Sequence, residues 1–418
     1  MKNPARDFDV AVVGGGPGGS SAATALARRG RRVVLLERER FPRFHIGESQ
    51  LPWSNEVFRA LGVEEAIRAA GFVEKWGASF RRPGDDAEQY ADFAAAAETP
   101  VPQTFQVLRE RFDEVLLRHA QASGVDVRES HLLLDAAFDG EGVTLRFRDA
   151  AGAERGLRAG ALVDASGRSG FLAKRYGEHA YDPLLRNISF HAHYEGVPRN
   201  EGRRAGDIRM FTREDMGWLW FIPVSGTLMS VGAVIPMRTH RHEGKSGPEE
   251  NLAHYLAASP PAMALLANAR RVSEVRADAD YSYVATRMAG ERWVAVGDAA
   301  AFLDPIFSTG VLLAMQGGLD AAQALDEGLR RGDLSARAFA RYERLVRGRY
   351  RHFRRFVTGF YDPAFRDLWF SPRKESSIYN AIVSVLAGNW RPSFGTRMRL
   401  AAFFALVALR RLELRLKR

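Results

Sequence analysis

The chain of 418 residues contains no cysteine. This absence excludes disulfide bonds, thiolate metal sites and cysteine nucleophiles, and it favours a cytoplasmic protein. No uninterrupted apolar run reaches the length of about 18 residues that a membrane-spanning helix needs, so no transmembrane segment is expected. The first residues, MKNPARDFDVAVVGGG, have no small-residue cleavage site, which argues against a secretory signal.

The sequence also lacks a zinc-finger spacing, an RNP-type aromatic motif and a basic run interleaved with aromatic residues. Nucleic acid is therefore not an expected partner. The net charge of +10 is carried mainly by arginine. Two explanations stay open: a coding bias toward Arg and Ala, and an acidic partner such as a carrier protein or an anionic substrate. The length indicates two or three structural units.

A β-α-β unit is predicted at the start of the chain. An apolar run at 8–13 leads into glycines, an Ala-rich helical pattern covers 17–29, and RRVVLLE at 31–37 indicates a second buried strand. The glycines between strand and helix have the spacing of a dinucleotide-binding loop, with an acidic residue about 20 positions later. The loop pattern alone arises by chance in roughly a third of such chains, but this context predicts an adenine dinucleotide site. The candidate residues are Gly14, Gly16, Pro17, Gly18, Gly19 and Ser20 for the phosphates, and Glu37 with Arg38 for the ribose.

Two later segments favour FAD over NAD. LVDASGRSG (162–170) and VAVGDAAAFLDP (294–305) each place an aspartate after an apolar strand, and similar segments hold the dinucleotide in FAD-dependent monooxygenase-like proteins. Asp164, Gly167 and Asp298 are thus candidate FAD residues, together with Arg109 in the helical pattern at 104–122. An ordinary turn aspartate remains the alternative for Asp164.

Three further motifs resemble those of the flavin-dependent halogenases. FPRFHIGESQLP (41–52) is similar to segments in these enzymes, in single-component monooxygenases and in geranylgeranyl-type reductases. WLWFIP (218–223) matches the W-x-W-x-I-P signature of the halogenases at every fixed position, which composition alone would produce in on the order of one chain in ten thousand. FLDPIFSTG (302–310) matches their F-x-x-P-x-x-S-x-G pattern. In the first motif the expected FAD residues are His45, Ile46, Gly47, Glu48 and Ser49.

Lys75 stands in GFVEKWGASF, where the halogenases carry their essential lysine. Apolar residues alternate around it, which predicts a strand that buries the charge. A buried ammonium must find a partner or lose its proton.

The resemblance extends from residue 8 to about residue 370 and implies a mechanism. Reduced FAD, supplied by a separate flavin reductase, would react with O2 to give a flavin hydroperoxide. Chloride or bromide would then yield hypohalous acid, with the halide held by the backbone N–H groups of Thr309 and Gly310 next to Pro305 and Ser308. Lys75 would polarise that acid or form a haloamine, and an electron-rich aromatic carbon would attack the halogen.

Trp218 and Trp220 would separate the flavin from the substrate and so prevent hydroxylation. Phe307 stands where tryptophan halogenases have an acidic residue, which resembles the phenol and pyrrole halogenases, whose substrates are often tethered to a carrier protein. His45, His191 and His193 are candidates for deprotonating a phenol, although structural roles are the alternative. A flavin monooxygenase or reductase without halogenating activity, and a flavin-binding protein with a structural role, remain competing hypotheses.

The expected fold is α/β: a Rossmann-like FAD-binding domain with an inserted antiparallel β-sheet substrate domain and a helical C-terminal region. We assign residues 1–74, 104–180 and 285–330 to the FAD domain, 75–103 and 181–284 to the substrate domain, and 331–418 to the C-terminal region. The protein is expected to be a monomer or homodimer. Its basic, amphipathic last helix is expected to pack on the protein or cover the site, with a membrane-surface or partner-binding role as the alternative.

Overall fold

A computed structural model describes residues 6–279, 282–370 and 376–416. The predicted β-α-β unit is present, as β1 (Phe8–Val13), α1 (Pro17–Ala27) and β2 (Val33–Leu36). β1 pairs in parallel with β2, with Val10 opposite Val33. Both strands lie between layers of other elements, which explains why they have continuous apolar sequences.

The next part of the chain, residues 54–181, contributes strands to both large sheets and to two small ones. The sequence of residues 53–70 has a helical pattern, which predicts one helix. The segment instead forms two helices that part at Gly62, whose φ of +73° suits a residue without a side chain. The helix predicted at 104–122 begins only at Arg109, because residues 104–106 form a strand. The elements are α2 (Ser54–Leu61), α3 (Glu64–Ala69), β3 (Val73–Lys75), β4 (Gly77–Arg81), β5 (Gln89–Asp92), β6 (Thr104–Gln106), α4 (Arg109–Ala122), β7 (Asp126–Arg128), β8 (Leu132–Phe138), β9 (Val143–Arg148), β10 (Glu154–Asp164), α5 (Phe171–Tyr176) and β11 (His179–Tyr181).

Strands dominate the middle of the chain, as predicted, and long helices dominate its end. The middle elements are β12 (Asn187–Glu195), β13 (Ile208–Thr212), β14 (Trp218–Pro223), β15 (Leu228–Pro236), α6 (Met237–Glu243), α7 (Pro248–Ala257), α8 (Pro260–Leu266), β16 (Arg270–Arg271), β17 (Arg276–Ala279), β18 (Tyr283–Ala285), β19 (Ala289–Gly290), β20 (Trp293–Ala295) and β21 (Ala301–Phe302). The last helices are α9 (Gly310–Arg331), α10 (Ala340–Phe360), α11 (Pro363–Trp369), α12 (Ser377–Leu386) and α13 (Phe394–Leu416).

Two large sheets organise the protein. The first has the order β19-β20-β10-β1-β2-β7, and β8 and β9 extend it from β10 as an antiparallel meander. The alternating segments near 142–148 and 156–163 predict such a meander. The second has the order β16-β12-β15-β14-β13-β4-β5, with β17 also on β12. It is antiparallel except for the parallel pair β13–β4. The strand expected within 281–288 pairs instead with β11 and β21 in a small separate sheet, and residue 281 lies outside the described residues.

The two faces of the second sheet have different partners. One face packs on α7 and α8 through buried residues that include Phe190, Leu219 and Phe221. The opposite face carries Trp218 and Trp220 and packs against α10 to α13. The tryptophan face therefore lies at the junction of the sheet and the C-terminal helices.

Among the described residues, none of the helices has both the length and the apolar character that crossing a membrane requires.

Candidate active site

The glycine loop after β1 is shaped by close backbone contacts. Gly14 has a φ of +102°, and a Cβ on it would lie 2.2 Å from the carbonyl oxygen of Ala165. A Cβ on Gly19 would lie 1.9 Å from the carbonyl oxygen of Gly14. The Ser20 hydroxyl donates to the Gly15 carbonyl oxygen at 2.8 Å. Packing of the loop thus requires these glycines, and Ser20 stabilises the loop from within the protein.

The N-terminus of α1 has the features of an anion site. Helix α1 begins at Pro17 after Gly16, with no side-chain cap and no acidic residue in its first turn. A Cβ on Gly18 would lie 3.0 Å from Val296, so α1 approaches the segment after β20 closely. The Arg43 guanidinium comes within 3.5 Å of a Cβ position on Gly16. Uncapped N–H groups next to a guanidinium fit the pyrophosphate of a dinucleotide.

Glu37 holds the glycine loop at the end of β2. Its Oε2 accepts from the Gly15 N–H at 2.6 Å and its Oε1 accepts from the Glu39 N–H at 2.9 Å. The carboxylate is buried, whereas the neighbouring Arg38 is exposed. Each carboxylate oxygen keeps a second lone pair, so these contacts are compatible with the proposed ribose contact.

Arg109 links the segment FPRFHIGESQLP (41–52), here called the HIGES segment, to the rest of the site. Its Nη1 donates to the carbonyl oxygen of Ile46 at 2.6 Å, while its Nε and Nη2 donate to Asp113 at 2.7 and 2.9 Å. Gly47 has a φ of +110°, and a Cβ there would lie 2.8 Å from Nη1 of Arg109 and 3.7 Å from Val311. The fold thus brings segments from residues 47, 109 and 311 into contact.

Asp164 stabilises the turn that follows β10. Its Oδ1 accepts from the N–H of Ser166 at 3.1 Å, and its Oδ2 accepts from the N–H of Leu172 at 2.6 Å at the start of α5. Gly167 begins a short 3-10 turn with a φ of +64°. These contacts are those of the turn aspartate considered as the alternative, and a contact of Asp164 with FAD stays a prediction.

Asp298 lies in the short 3-10 turn after β20 and is partly exposed. Desolvation raises the pKa of its carboxyl to about 6, against the opposing effect of Arg109 and Arg168. The Tyr283 hydroxyl donates to the backbone carbonyl of Asp298 at 2.8 Å and fixes the turn. Arg109, which also donates to the Ile46 carbonyl oxygen, is thus one of the two cations whose charge acts on Asp298.

Lys75 is buried, as the alternating pattern predicts. Its Nζ donates to the Ser49 hydroxyl at 2.8 Å and to the Gln50 carbonyl oxygen at 3.0 Å, and it lies 5.3 Å from the centroid of the Phe93 ring. Desolvation lowers the pKa of Lys75 to about 7, although Asp207 opposes this effect. The amine and ammonium forms are therefore both populated near neutral pH.

Asp207 is the carboxylate whose charge acts on Lys75. It is buried, and its Oδ1 accepts from the N–H groups of Trp76 and Gly77 at 2.6 and 2.9 Å. Burial raises the pKa of Asp207, while these N–H groups and Lys75 oppose the rise. The backbone on the C-terminal side of Lys75 is thus fixed to Asp207, and the two titratable groups are coupled.

Both indole rings of WLWFIP lie on one face of β14, because alternate residues of a strand point to the same side. Their centroids are 5.7 Å apart at an angle of 45°. Trp218 donates its Nε1–H to the Tyr361 hydroxyl at 2.8 Å, and Trp220 donates to the Ser230 hydroxyl at 3.1 Å. The Trp220 ring covers Gly232, where a Cβ would lie 2.3 Å from the ring. Each indole has one donor, and in both rings the protein already uses it.

A buried network joins Trp218 to the FLDPIFSTG loop. The Tyr361 hydroxyl donates to Oδ2 of Asp304 at 3.0 Å, and Asn187 donates to the same oxygen at 2.8 Å. Oδ1 of Asp304 accepts from the N–H of Ile306 at 3.1 Å. Desolvation raises the pKa of Asp304 to about 6 against these hydrogen bonds.

The loop itself ends at the N-terminus of α9. Pro305 starts a 3-10 turn, Ser308 is left-handed with a φ of +56°, and Gly310 is the first residue of α9 after Thr309. The Thr309 side chain is buried, and its hydroxyl has no partner within the described residues. The first N–H groups of a helix have no acceptor within it, so this end can bind an anion. Phe307 packs on other aromatic rings in the core.

The three candidate histidines lie in different surroundings. His193 Nε2 is 2.7 Å from Oε1 of Glu48, which is buried. His191 is buried 5.9 Å from the Trp220 ring, and neither of its ring nitrogens has a partner within the described residues. Desolvation lowers the pKa of His191. His45 is exposed, with Nδ1 2.7 Å from the next backbone carbonyl oxygen.

Comparisons with known proteins identify the family of this chain. An FAD binding domain model matches residues 7–351. The flavin-dependent halogenase armH3 of Armillaria mellea is 36% identical over 374 residues, which cover 84% of this chain and 74% of that protein. The chain belongs to the flavin-dependent halogenases. A chlorinase of Pseudomonas fluorescens that acts on 1H-pyrrole-2-carbonyl-[peptidyl-carrier protein] is 30% identical, with 85% and 84% of the two chains covered. The solved structure of the myxobacterial chondrochloren halogenase CndH is 37% identical, covers 93% of this chain and 91% of that one, and has a TM-score of 0.80.

The halogenase is therefore an FAD-dependent oxidoreductase that halogenates aromatic substrates with O2 and a halide. The preference for FAD over NAD is confirmed, and so is the predicted fold class. The uncapped start of α1 next to Arg43 fits the predicted binding of the FAD pyrophosphate.

Four residues of the site of this halogenase escaped the sequence analysis. Asp304 stands inside the motif FLDPIFSTG, and Tyr361 stands in FYDPAFRDLWF (360–370), at the end of the part of the chain that the resemblance covers. Their pairing joins positions that are 57 residues apart. Arg43 stands inside the HIGES segment and could have been selected as a cation near a phosphate site. No sequence motif marks Asp207 as a site residue, because its contact with the backbone after Lys75 depends on the tertiary fold.

Proposed function

We propose that the enzyme halogenates a phenolic or pyrrolic ring and that Lys75 delivers the halogen. The observation that carries this proposal is the position of Lys75 Nζ, buried between the Ser49 hydroxyl, the Gln50 carbonyl and the Phe93 ring. Reduced FAD, when bound, supplies the reducing equivalents with which O2 and a halide give hypohalous acid. In our proposal Thr309 and Gly310 bind the halide through their backbone N–H groups.

Lys75 has two modes of action. The ammonium donates a hydrogen bond to hypohalous acid and makes the halogen more electrophilic. The neutral amine instead attacks the halogen, so that an N–halogen bond forms, the O–halogen bond breaks, and hydroxide and the amine proton leave as water. Because desolvation lowers the pKa of Lys75 to about 7, the two modes predict opposite activity changes as the pH rises through 7.

Trp218 and Trp220 act as a barrier in this proposal. Both N–H groups are bonded to the protein, to Tyr361 and Ser230, so neither indole has a donor left for substrate or halide. We therefore propose that the two buried rings act by their bulk: they keep the substrate away from the flavin, where it would be hydroxylated.

The substrate class rests on Phe307 and on the charge of the chain. Phe307 supplies an aromatic ring where an indole-directing carboxylate would be expected, and its ring packs against Trp369 at 5.7 Å. One relative acts on a pyrrole carried by a peptidyl carrier protein. A carrier protein is acidic, and the net charge of +10 suits such a partner.

We further propose that a separate flavin reductase supplies FADH2, that the protein is cytoplasmic, and that residues 1–74, 104–180 and 285–330 form the FAD domain.

The test is a reconstituted assay with FAD, a flavin reductase, and chloride or bromide. Phenols and a carrier-bound pyrrole-2-carbonyl group are offered as substrates, and the products are measured by mass spectrometry. We expect a halogenated product from wild type and none from Lys75→Ala, while Lys174→Ala, at an exposed lysine, keeps wild-type activity. Halide-independent hydroxylation or alkene reduction would contradict the halogenation, and an active Lys75→Ala variant would contradict the role of Lys75.

A further inference from the structure

Helix α13 has two apolar stripes on opposite sides. The first consists of Thr396, Leu400, Phe403 and Val407, which are buried. It faces the aromatic core that the C-terminal helices share with β14. A helix that uses one stripe for its own protein normally presents polar residues on the other side. Helix α13 does not.

The second stripe is exposed and has a regular spacing. Leu409 and Leu416 are 59% and 80% exposed, and they belong to a continuous apolar stripe of the kind that marks an interaction surface. The stripe is Met398, Ala402, Ala405, Leu409, Leu412 and Leu416, with all six members exposed. Its steps alternate between four and three residues throughout, which is the 3.5-residue period of a coiled-coil seam. The period indicates a partner helix.

We propose that this stripe pairs in antiparallel orientation with the same stripe of a second copy of the chain. A two-fold axis near residue 407 would place Met398 opposite Leu416, Ala402 opposite Leu412 and Ala405 opposite Leu409. The two inner layers then set a small side chain against a large one, as close helix packing requires. The interface is isologous and closes as a dimer.

The charged residues beside the stripe also favour the antiparallel orientation. Arg399 and Glu413 lie on one side of it, and both are exposed. The antiparallel dimer brings Arg399 next to Glu413 of the second copy, twice, with Leu406 meeting its own copy between them. In a parallel dimer the two residues would be about 21 Å apart along the axis, and each alanine would face an alanine. Arg415 lies on the other side, opposite Ala401 of the second copy, so like charges stay apart.

Sedimentation velocity of the FAD-loaded protein from about 1 to 100 μM tests the dimer. We expect a concentration-dependent monomer–dimer equilibrium, which Leu409→Glu shifts to at least tenfold higher concentration. Leu184→Glu, at an exposed leucine outside α13, is the matched control and should dimerise like wild type. Flavin absorbance and circular dichroism confirm that each variant is folded. A wild-type monomer at every concentration would overturn the proposal.

A charge exchange tests the pairing. Arg399→Glu and Glu413→Arg should each weaken the dimer, and the double exchange should restore it toward the wild-type association. Glu413 also accepts from Arg410 of its own helix at 3.0 Å, so the restoration, rather than the single effects, is decisive. Equal weakening in the double variant would contradict the Arg399–Glu413 contact.

Cross-linking tests the orientation, without background because the chain has no cysteine. An equimolar mixture of Ala405→Cys and Leu409→Cys chains should give a disulfide-linked dimer after mild oxidation, whereas neither variant should cross-link alone. Self-cross-linking of each variant would show a parallel dimer. Wild-type protein that stays monomeric and sediments with anionic phospholipid vesicles, with Leu409→Glu unable to do so, would assign the stripe to a membrane surface instead.

Discussion

Replacing Lys75 with methionine should change how stability depends on pH, and the size of the change follows from the surroundings of the lysine. Desolvation lowers the pKa of the buried amine from 10.5 to about 7. Above pH 7 the folded protein leaves Lys75 uncharged, while the unfolded chain keeps the proton up to pH 10.5. The unfolded state thus binds more protons in this interval, so the contribution of Lys75 to the free energy of unfolding rises with pH.

The expected slope is about 1.4 kcal/mol per pH unit. Over the accessible interval from pH 7 to 9.5, the stability of wild type should therefore gain about 3 kcal/mol relative to Lys75→Met. Below pH 7 the difference should be constant, because the lysine is then protonated in both states. Methionine has a similar volume, but it leaves the Ser49 hydroxyl and the Gln50 carbonyl without their donor at a cost of about 1–3 kcal/mol. That cost does not depend on the lysine proton, so it leaves the slope unchanged.

Urea denaturation of both proteins at half-unit pH steps measures this difference, with FAD removed so that cofactor binding does not contribute. Taking the difference cancels every group that titrates alike in the two proteins. Lys174→Met, at an exposed lysine, should follow wild type at every pH. A difference between wild type and Lys75→Met that stays flat from pH 7 to 9.5 would refute the reasoning, because the lysine would then have the same pKa in the folded and unfolded states.

Three further changes test other parts of the site. Trp220→Ala should destabilise the protein by about 3–5 kcal/mol and release a hydroxylated side product detectable by mass spectrometry; without that product, the ring serves packing only. Thr309→Val should leave the KM for chloride within about twofold, since backbone N–H groups bind the halide in our proposal, and a tenfold rise would implicate the hydroxyl. Arg43→Gln should raise the Kd for FAD about tenfold in fluorescence titrations, with a weaker dependence on salt; an unchanged Kd would separate Arg43 from the pyrophosphate.

Local signals in the sequence predicted a large part of the fold. The β-α-β unit, the glycine loop and the meander before Asp164 each depend on residues that are close in sequence, so periodicity and turn chemistry identify them. The burial of Lys75 was predicted in the same way, from apolar residues alternating around it. The break at Gly62 was missed because a helical pattern continues on both sides of a single glycine.

Partners far apart in sequence could not be predicted. Asp207 reaches the segment after Lys75 only because β13 pairs in parallel with β4, the one such pair in the described part of that sheet. Two parallel strands are not joined by a short hairpin turn, so the sequence contains no turn motif that would identify the pair. Glu37 and Asp164 were recognised as acids at the right places. Their oxygens accept hydrogen bonds from backbone N–H groups. These contacts depend on the conformation of the loops, which residue type alone does not specify.

Tyr361 connects Trp218, a barrier residue in our proposal, to Asp304 in the FLDPIFSTG loop. Tyr361 accepts from the indole and donates to Asp304, whose other oxygen begins the 3-10 turn that leads to the start of α9. Every member of this chain of hydrogen bonds is held between the sheet and the C-terminal helices. Movement of the loop would therefore require movement of the indole or loss of a buried hydrogen bond, at about 1–3 kcal/mol. Buried hydrogen bonds thus join the proposed barrier to the proposed halide site. The C-terminal helices consequently take part in the candidate site, because Tyr361 lies between α10 and α11.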